Sequence, residues 1–288
     1  LDAVRQLDGV RLLTFTDADD LPDGADETEV LVTNATVDTM VQVMRQLPRL
    51  RLLQTLSAGV EQWEGKVPDG VGLSNARGAH GGATAEWAVA ALLAVLREFP
   101  GFTLRQTEGR WDQHTTDTLA GKHVLILGAG DLAAEFRKRA EPFGATVAVV
   151  GRTAREGVHG MDELDDLLPT ADVVVAMLPL TDATRGIVDA RVLGLMQEDA
   201  VFVNAGRGPS VVTDDLVAAL QGGKLRAALD VTDPEPLPEG HPLWSAPNLL
   251  ITPHVAGSTL GFQQRAWTVA AEQIAQFARG EQPANLQA

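Results

Sequence analysis

The chain has 288 residues, 45% of them hydrophobic, with 23 Lys or Arg against 39 Asp or Glu and a formal charge of −16 at pH 7. That length supports two cores, so two domains are expected, and the acidic balance opposes nucleic-acid binding because phosphate backbones select basic surfaces. The absence of cysteine excludes disulfides and thiolate chemistry, the absence of tyrosine excludes a tyrosine–lysine proton relay, and no His/carboxylate motif has metal-binding spacing, so no metal is expected.

In chain order, VRLLTF (10–15), EVLVTN (29–34), LRLLQTL (50–56) and GVGLSN (70–75) read as strands separated by polar or helical stretches. Residues 84–98 then read as a helix apolar on nearly every face, which predicts an interior position with part of Trp87–Leu96 against a partner subunit. The same run is too short to span a bilayer and no signal peptide precedes it, so no membrane contact and a cytoplasmic location are expected.

The run HVLIL (123–127) stops at GAGDLA (128–133) and gives way to the helix-favouring AAEFRKRA (133–140). This is a strand, tight turn and helix of the dinucleotide-binding kind: Gly128 permits the turn, Gly130 lets backbone approach a pyrophosphate, and Ala133 is small enough for helix–strand packing. The phosphates would meet N–H groups at the helix N-terminus, where Asp131 is an awkward neighbour for them.

Further apolar strands follow at TVAVV (146–150), DVVVAML (172–178), AVFVN (200–204), RAALDV (226–231) and LLIT (249–252), and a last helix at residues 261–280. Alternating β and α predicts a doubly wound parallel sheet, and continuous hydrophobicity in its strands predicts helices on both faces. Ligands bind such sheets beyond the carboxyl ends of the strands. Arg207, Glu235 and His254 each follow one of these strands, so a cation, a carboxylate and an imidazole share one edge downstream of a dinucleotide turn. That set suits hydride transfer to a carbonyl acid.

Where an NAD-preferring site places an acidic residue, after FGATVAVV (143–150), this chain has Gly151, followed by Arg152 and Thr153. Glycine leaves room for a 2′-phosphate, and the next two residues offer a guanidinium and a hydroxyl, so NADP(H) is the expected cofactor, with NAD(H) use possible.

The strings LSAGVEQ (56–62), GATAEWAVAALL (82–93), LAGKHVLILGAGDLA (119–133), MLPLTDATRGIV (177–188), NAGRGPSVV (204–212), LDVTDPEPLP (229–238) and TPHVAGST (252–259) together resemble, in content and order, the D-2-hydroxyacid dehydrogenase family. The resemblance implies two Rossmann-like α/β domains with doubly wound parallel sheets, the nucleotide-binding domain inserted in the substrate domain. The expected boundaries are 1–98 for the substrate domain, 99–257 for the dinucleotide-binding domain and 258–288 for a returning helix.

It further implies that Arg207 holds the substrate carboxylate and carbonyl oxygen, that His254 is the general acid, and that Glu235 fixes the His254 tautomer. Ser57, Ala58 and Gly59 correspond to a backbone carboxylate cradle. Asp230 corresponds to a nicotinamide carboxamide contact, and Thr84, Ala129, Leu132, Leu178, Pro179 and Ala205 to further cofactor contacts. His80, His114, His123, His159 and His241 share no such context and read as surface or packing residues.

The loop DPEPLPEGHPLW (233–244) is similar to that of glyoxylate and hydroxypyruvate reductases, so a small 2-keto acid is the expected substrate, in a homodimeric enzyme. The alternatives are a formate- or phosphite-type dehydrogenase on the same scaffold, or a non-enzymatic dinucleotide-sensing corepressor-like protein. Because the chain opens at Leu1, without an initiator methionine, the first strand of the family is expected to be missing from it.

Overall fold

The computed structural model describes residues 1–287. The first elements are α1 (Asp2–Arg5), β1 (Val30–Val32), α2 (Val37–Met44), β2 (Leu52–Gln54) and β3 (Gly72–Ser74). Next come α3 (Gly81–Leu96), α4 (Phe99–Thr107), β4 (His123–Leu127), α5 (Asp131–Ala140), β5 (Thr146–Val150), α6 (Leu164–Leu167) and β6 (Val173–Ala176). The chain continues through α7 (Ala190–Leu195), β7 (Ala200–Asn204), α8 (Thr213–Gln221), β8 (Leu225–Leu229), β9 (Leu249–Ile251) and α9 (Phe262–Ala278). Two compact units result: Leu1–His80 with the chain from Leu260 on, and Gly81–Thr259.

In the first unit β1, β2 and β3 form a parallel sheet in sequential order, with Leu53 of β2 opposite Leu31 and Leu73. Side chains alternate across a strand. Leu31 and Leu53 accordingly pack with Met40, Val43 and Met44 of α2 and with Trp63, whereas Val30 and Val32 lie with Val4 of α1 and Ala271 and Ile274 of α9. Segment 10–15, expected as a strand, forms no ladder; Val10, Leu12 and Phe15 contribute only side-chain packing to these clusters.

The second unit is a six-stranded, all-parallel sheet in the order β5-β4-β6-β7-β8-β9. Val124 and Ile126 of β4 face one core with Phe136 of α5 and Ala88 and Leu92 of α3, while Leu125 and Leu127 face another with Leu193 of α7 and Leu216 and Leu220 of α8. Both faces are therefore covered, which is why these strands read as unbroken apolar runs. After β5 the chain crosses back past β4 to start β6, so the order reverses between β4 and β6, and the crevice at their carboxyl ends is the place for a ligand.

Two expectations change here. The boundary expected at 98–99 falls at 80–81, because α3 packs on α5 and the sheet of the second unit; Ala85, Ala88, Leu92 and Leu96 are wholly buried there. That burial within its own unit also accounts for the apolarity attributed in part to a partner subunit. Among the described residues no single helix is long and apolar enough to cross a membrane, and no cluster of three or more His, Asp or Glu is placed to hold a metal.

Candidate active site

Most residues implied to hold a cofactor lie at the carboxyl ends of β5, β4 and β6, with Thr84 in α3, Ala205 after β7 and Asp230 after β8, while Arg207, Glu235 and His254 follow β7, β8 and β9. At the first group, Gly128 has φ +117°, and a Cβ there would lie 2.5 Å from the carbonyl oxygen of Met177, so only glycine lets the turn after β4 pass the end of β6. Gly130, exposed and extended, caps α5, and a Cβ on it would meet nothing within 4 Å. This open face beside a helix N-terminus fits a pyrophosphate. Ala133 is buried in the core shared with α3, and Ala129 and Leu132 border that core.

Asp131 lies beside the first residue of α3: a Cβ on Gly81 would come within 2.7 Å of its carboxylate oxygen. Its charge is thus placed by the positive end of a long helix, which offsets the awkwardness read from sequence. Leu178 and Ala205 are buried, Thr84 is buried in the first turn of α3, and Pro179 is exposed with its carbonyl accepting from the Thr184 hydroxyl at 2.6 Å.

Gly151 is buried after β5, with Arg152 and Thr153 exposed beyond it. A Cβ on Gly151 would meet Val158 at 3.0 Å, Ala129 at 3.2 Å and the Arg155 guanidinium at 3.3 Å, so a larger side chain there would have to push these side chains aside. Arg155 went unnoticed in the sequence. Its guanidinium donates to the Ala129 carbonyl oxygen at 3.1 Å, which ties it to the glycine-rich turn and puts a second cation beside Gly151. The chain returns through an Arg155–Val158 bridge to place His159 beside Val150. A side-chain hydrogen bond from His159 and the Gly160 N–H hold the Glu163 carboxyl below its ordinary range and fasten this segment.

At the other group, the loop after β7 is built around two glycines. A Cβ on Gly206 would lie 2.9 Å from the Leu178 backbone, and one on Gly208 would lie 1.8 Å from the Thr232 carbonyl oxygen. Arg207 between them is half-buried, its carbonyl oxygen receiving the Asn204 amide at 3.1 Å and the Ser210 hydroxyl at 2.7 Å. The Asn204 side-chain oxygen also accepts the Gly206 N–H at 3.0 Å. Asn204 and Ser210 therefore fix the path of the NAGRGPS segment, and neither had been singled out.

His254 Nδ1 and Glu235 Oε1 are 2.5 Å apart. An ionised carboxylate only accepts, which places the proton on Nδ1 and leaves Nε2 for a reacting group. His254 also adopts φ +53°, a conformation uncommon for a side-chain-bearing residue. The buried Asp230 carboxylate receives donors from Thr252, Val255 and Ala256, the segment that carries His254.

In the first unit, the carbonyls of residues 56–59 are all engaged. His80 Nε2 is 3.4 Å from that of Leu56, Thr55 and Ala76 donate to Ser57, Asn75 donates to Ala58 at 2.8 Å, and the Ser57 hydroxyl donates to Gly59 at 2.8 Å. Among the described residues no acceptor takes the N–H groups of Ser57, Ala58 or Gly59. Turning the carbonyls inward leaves three successive half-buried donors for an anion. Asn75 and His80 emerge as supports of this loop, although His80 reads from the sequence as a surface or packing residue.

Residues 89–256 match the family model described as D-isomer specific 2-hydroxyacid dehydrogenase, NAD binding domain. A glyoxylate reductase of Aeropyrum pernix is 32% identical over 279 residues, covering 91% of this chain and 83% of that protein. A D-isomer specific 2-hydroxyacid dehydrogenase of Xanthobacter autotrophicus Py2, solved with NADPH and MES, superposes with a TM-score of 0.82 at 32% identity, covering 93% of this chain and 86% of that one. The NADPH-dependent glyoxylate/hydroxypyruvate reductase of Sinorhizobium meliloti, solved with NADP and sulfate, gives a TM-score of 0.79 at 29% identity, covering 90% of this chain and 84% of that one. With a dinucleotide turn at the reversal of a parallel sheet and a family match across most of the second unit, the chain belongs to the D-isomer-specific 2-hydroxyacid dehydrogenases, an NAD(P)-dependent oxidoreductase family.

Proposed function

We propose that the protein reduces small 2-keto acids of the glyoxylate and hydroxypyruvate class to D-2-hydroxy acids, with NADPH as the preferred reductant. The observation that carries this reading is the His254–Glu235 pair at 2.5 Å, on the same sheet edge as the fastened Arg207 loop. A bound reduced nicotinamide supplies the hydride. Gly128, Ala129, Gly130 and the start of α5 would hold its pyrophosphate, with Leu132, Leu178, Pro179, Ala205 and Thr84 around the rest. Arg207 binds the carboxylate and carbonyl oxygen through its planar fork. His254, oriented by Glu235, gives a proton from Nε2 to the carbonyl oxygen as that oxygen gains charge.

The preference for NADPH rests on Gly151, which puts no carboxylate where an NAD-preferring site has one and is tightly surrounded, and on Arg152 and Arg155 beside it. A charge-assisted hydrogen bond contributes ~1.5–3 kcal/mol, so kcat/KM is expected to favour NADPH over NADH by roughly 10- to 100-fold, and Arg152→Ala with Arg155→Ala to remove most of that difference. The test is loss of NADPH absorbance on mixing with a panel of keto acids, repeated with NADH. Equal use of the two cofactors would refute the preference, and inactivity with every keto acid would refute the reaction.

A further inference from the structure

We infer that Asp230 is a positioning residue for His254, its carboxylate acting as the built-in anion around which the His254 segment is folded. The inference rests on His254 being the proton donor proposed above. Asp230 follows β8, is 3% exposed, and accepts three donors from the segment after β9. The Thr252 hydroxyl donates to Oδ1 at 2.5 Å, the Val255 N–H to Oδ1 at 2.9 Å and the Ala256 N–H to Oδ2 at 2.8 Å. Its backbone carbonyl takes the His254 N–H at 2.7 Å, and the Thr252 N–H goes to Leu229 at 2.9 Å.

Pro253 has no N–H, so every backbone donor from Thr252 to Ala256 is received by Leu229 or Asp230. The left-handed turn at His254 is what aims the next two N–H groups at one carboxylate, the concave arrangement by which successive amides bind anions. Here the anion belongs to the protein, and it holds in place the backbone conformation from which His254 reaches Glu235. Asp230 also donates its N–H to the Asn204 carbonyl at 3.0 Å, and Asn204 fastens the Arg207 loop. One buried residue thus joins the two loops that carry the reacting groups.

Amide replacement opposes this in either orientation. In Asp230→Asn the side-chain NH2 faces the Val255 or the Ala256 N–H, and one of those donors loses its acceptor. Reduction of glyoxylate by the Asp230→Asn holoenzyme is expected to lose roughly 10- to 100-fold in kcat, the usual cost of a misplaced reacting group, with KM for the keto acid little changed. Amide exchange at Val255 and Ala256 should quicken while that of β8 stays slow. Thr252→Val, which removes one of three donors and keeps the charge, should show both effects in weaker form.

A wild-type kcat and unchanged exchange in Asp230→Asn would overturn the inference, as would a defect confined to NADPH affinity, which a carboxamide contact alone would give. If Asp230→Asn does not fold, the same results in Thr252→Val decide. His254→Ala separates the two ideas: turnover retained there refutes the proton-donor reading itself, whereas turnover lost there but retained in Asp230→Asn refutes only the positioning role.

Discussion

The path of the Arg207 loop is set by the glycines on either side of it. Gly208 has the Thr232 carbonyl oxygen where a Cβ would go, at 1.8 Å, so Gly208→Ala must displace either the Arg207 loop or the segment after β8. Overpacking of this kind costs ~1–3 kcal/mol or more. The variant is expected to melt several degrees lower and to lose kcat/KM for keto acids more than affinity for NADPH. A Gly208→Ala enzyme with wild-type melting temperature and activity would show that the loop is not held as described. The motif NAGRG made Arg207 legible in the sequence, but the reason for its glycines was not, since the residues they touch, Leu178 and Thr232, lie in the loops after β6 and β8.

Among the elements, the nucleotide-binding sheet was the most legible, because both-sided burial leaves a continuous apolar signature in each strand. Segment 10–15 carried a similar signature and formed no ladder, since its apolar residues pack on helices and neither edge of the three-stranded sheet bonds to it. Apolarity reports burial, and only a partner edge makes a strand. Arg155 and the supports of the Ser57 loop were hidden for a related reason: their roles depend on backbone carbonyls brought near by folding.

The link between α4 and β4 depends on a carboxylate whose behaviour with pH follows from its partners. Partial burial pushes the Asp117 carboxyl up, but hydrogen bonds from Arg226, the Thr118 N–H and Lys122 outweigh it and hold the group below its ordinary 3.8. Its folded pKa being depressed, the folded state binds fewer protons than the unfolded chain around that value. The stabilisation is therefore fully present above the ordinary carboxyl range and lost as pH falls through the folded pKa. Asp117→Asn should lower the melting temperature by roughly 2–4 °C at neutral pH, for a partly exposed network worth about 1 kcal/mol. Repeated thermal melts should show the gap closing below about pH 3.8; a gap that stays constant down to pH 2, or widens, would contradict this account of the link.

For the molecule as a whole, a homodimer is expected. Three of the exposed large apolar side chains, Phe99 and Leu104 of α4 and Trp111 beyond it, 55%, 66% and 93% exposed, lie close together in the chain and are the surface proposed for a second copy. Exposed apolar side chains concentrated in one stretch are the feature an interaction face would have. Size exclusion with light scattering should give a dimer at micromolar concentration and a monomer for Leu104→Asp combined with Trp111→Ser. A monomeric native protein, or an undisturbed dimer in the variant, would move the contact elsewhere.

In the proposed reaction a hydride from NADPH and a proton from His254 reach a small 2-keto acid, with one face of the carbonyl attacked. Its decisive test is chiral analysis of the glycerate formed from hydroxypyruvate and NADPH, with His254→Ala alongside. The expected result is D-glycerate in one-to-one proportion to NADPH consumed, and a rate lower by roughly 10²–10⁴-fold in the variant, the usual contribution of a positioned general acid. L-glycerate or a mixture, consumption of NADPH without glycerate, or an undiminished rate in His254→Ala would contradict it.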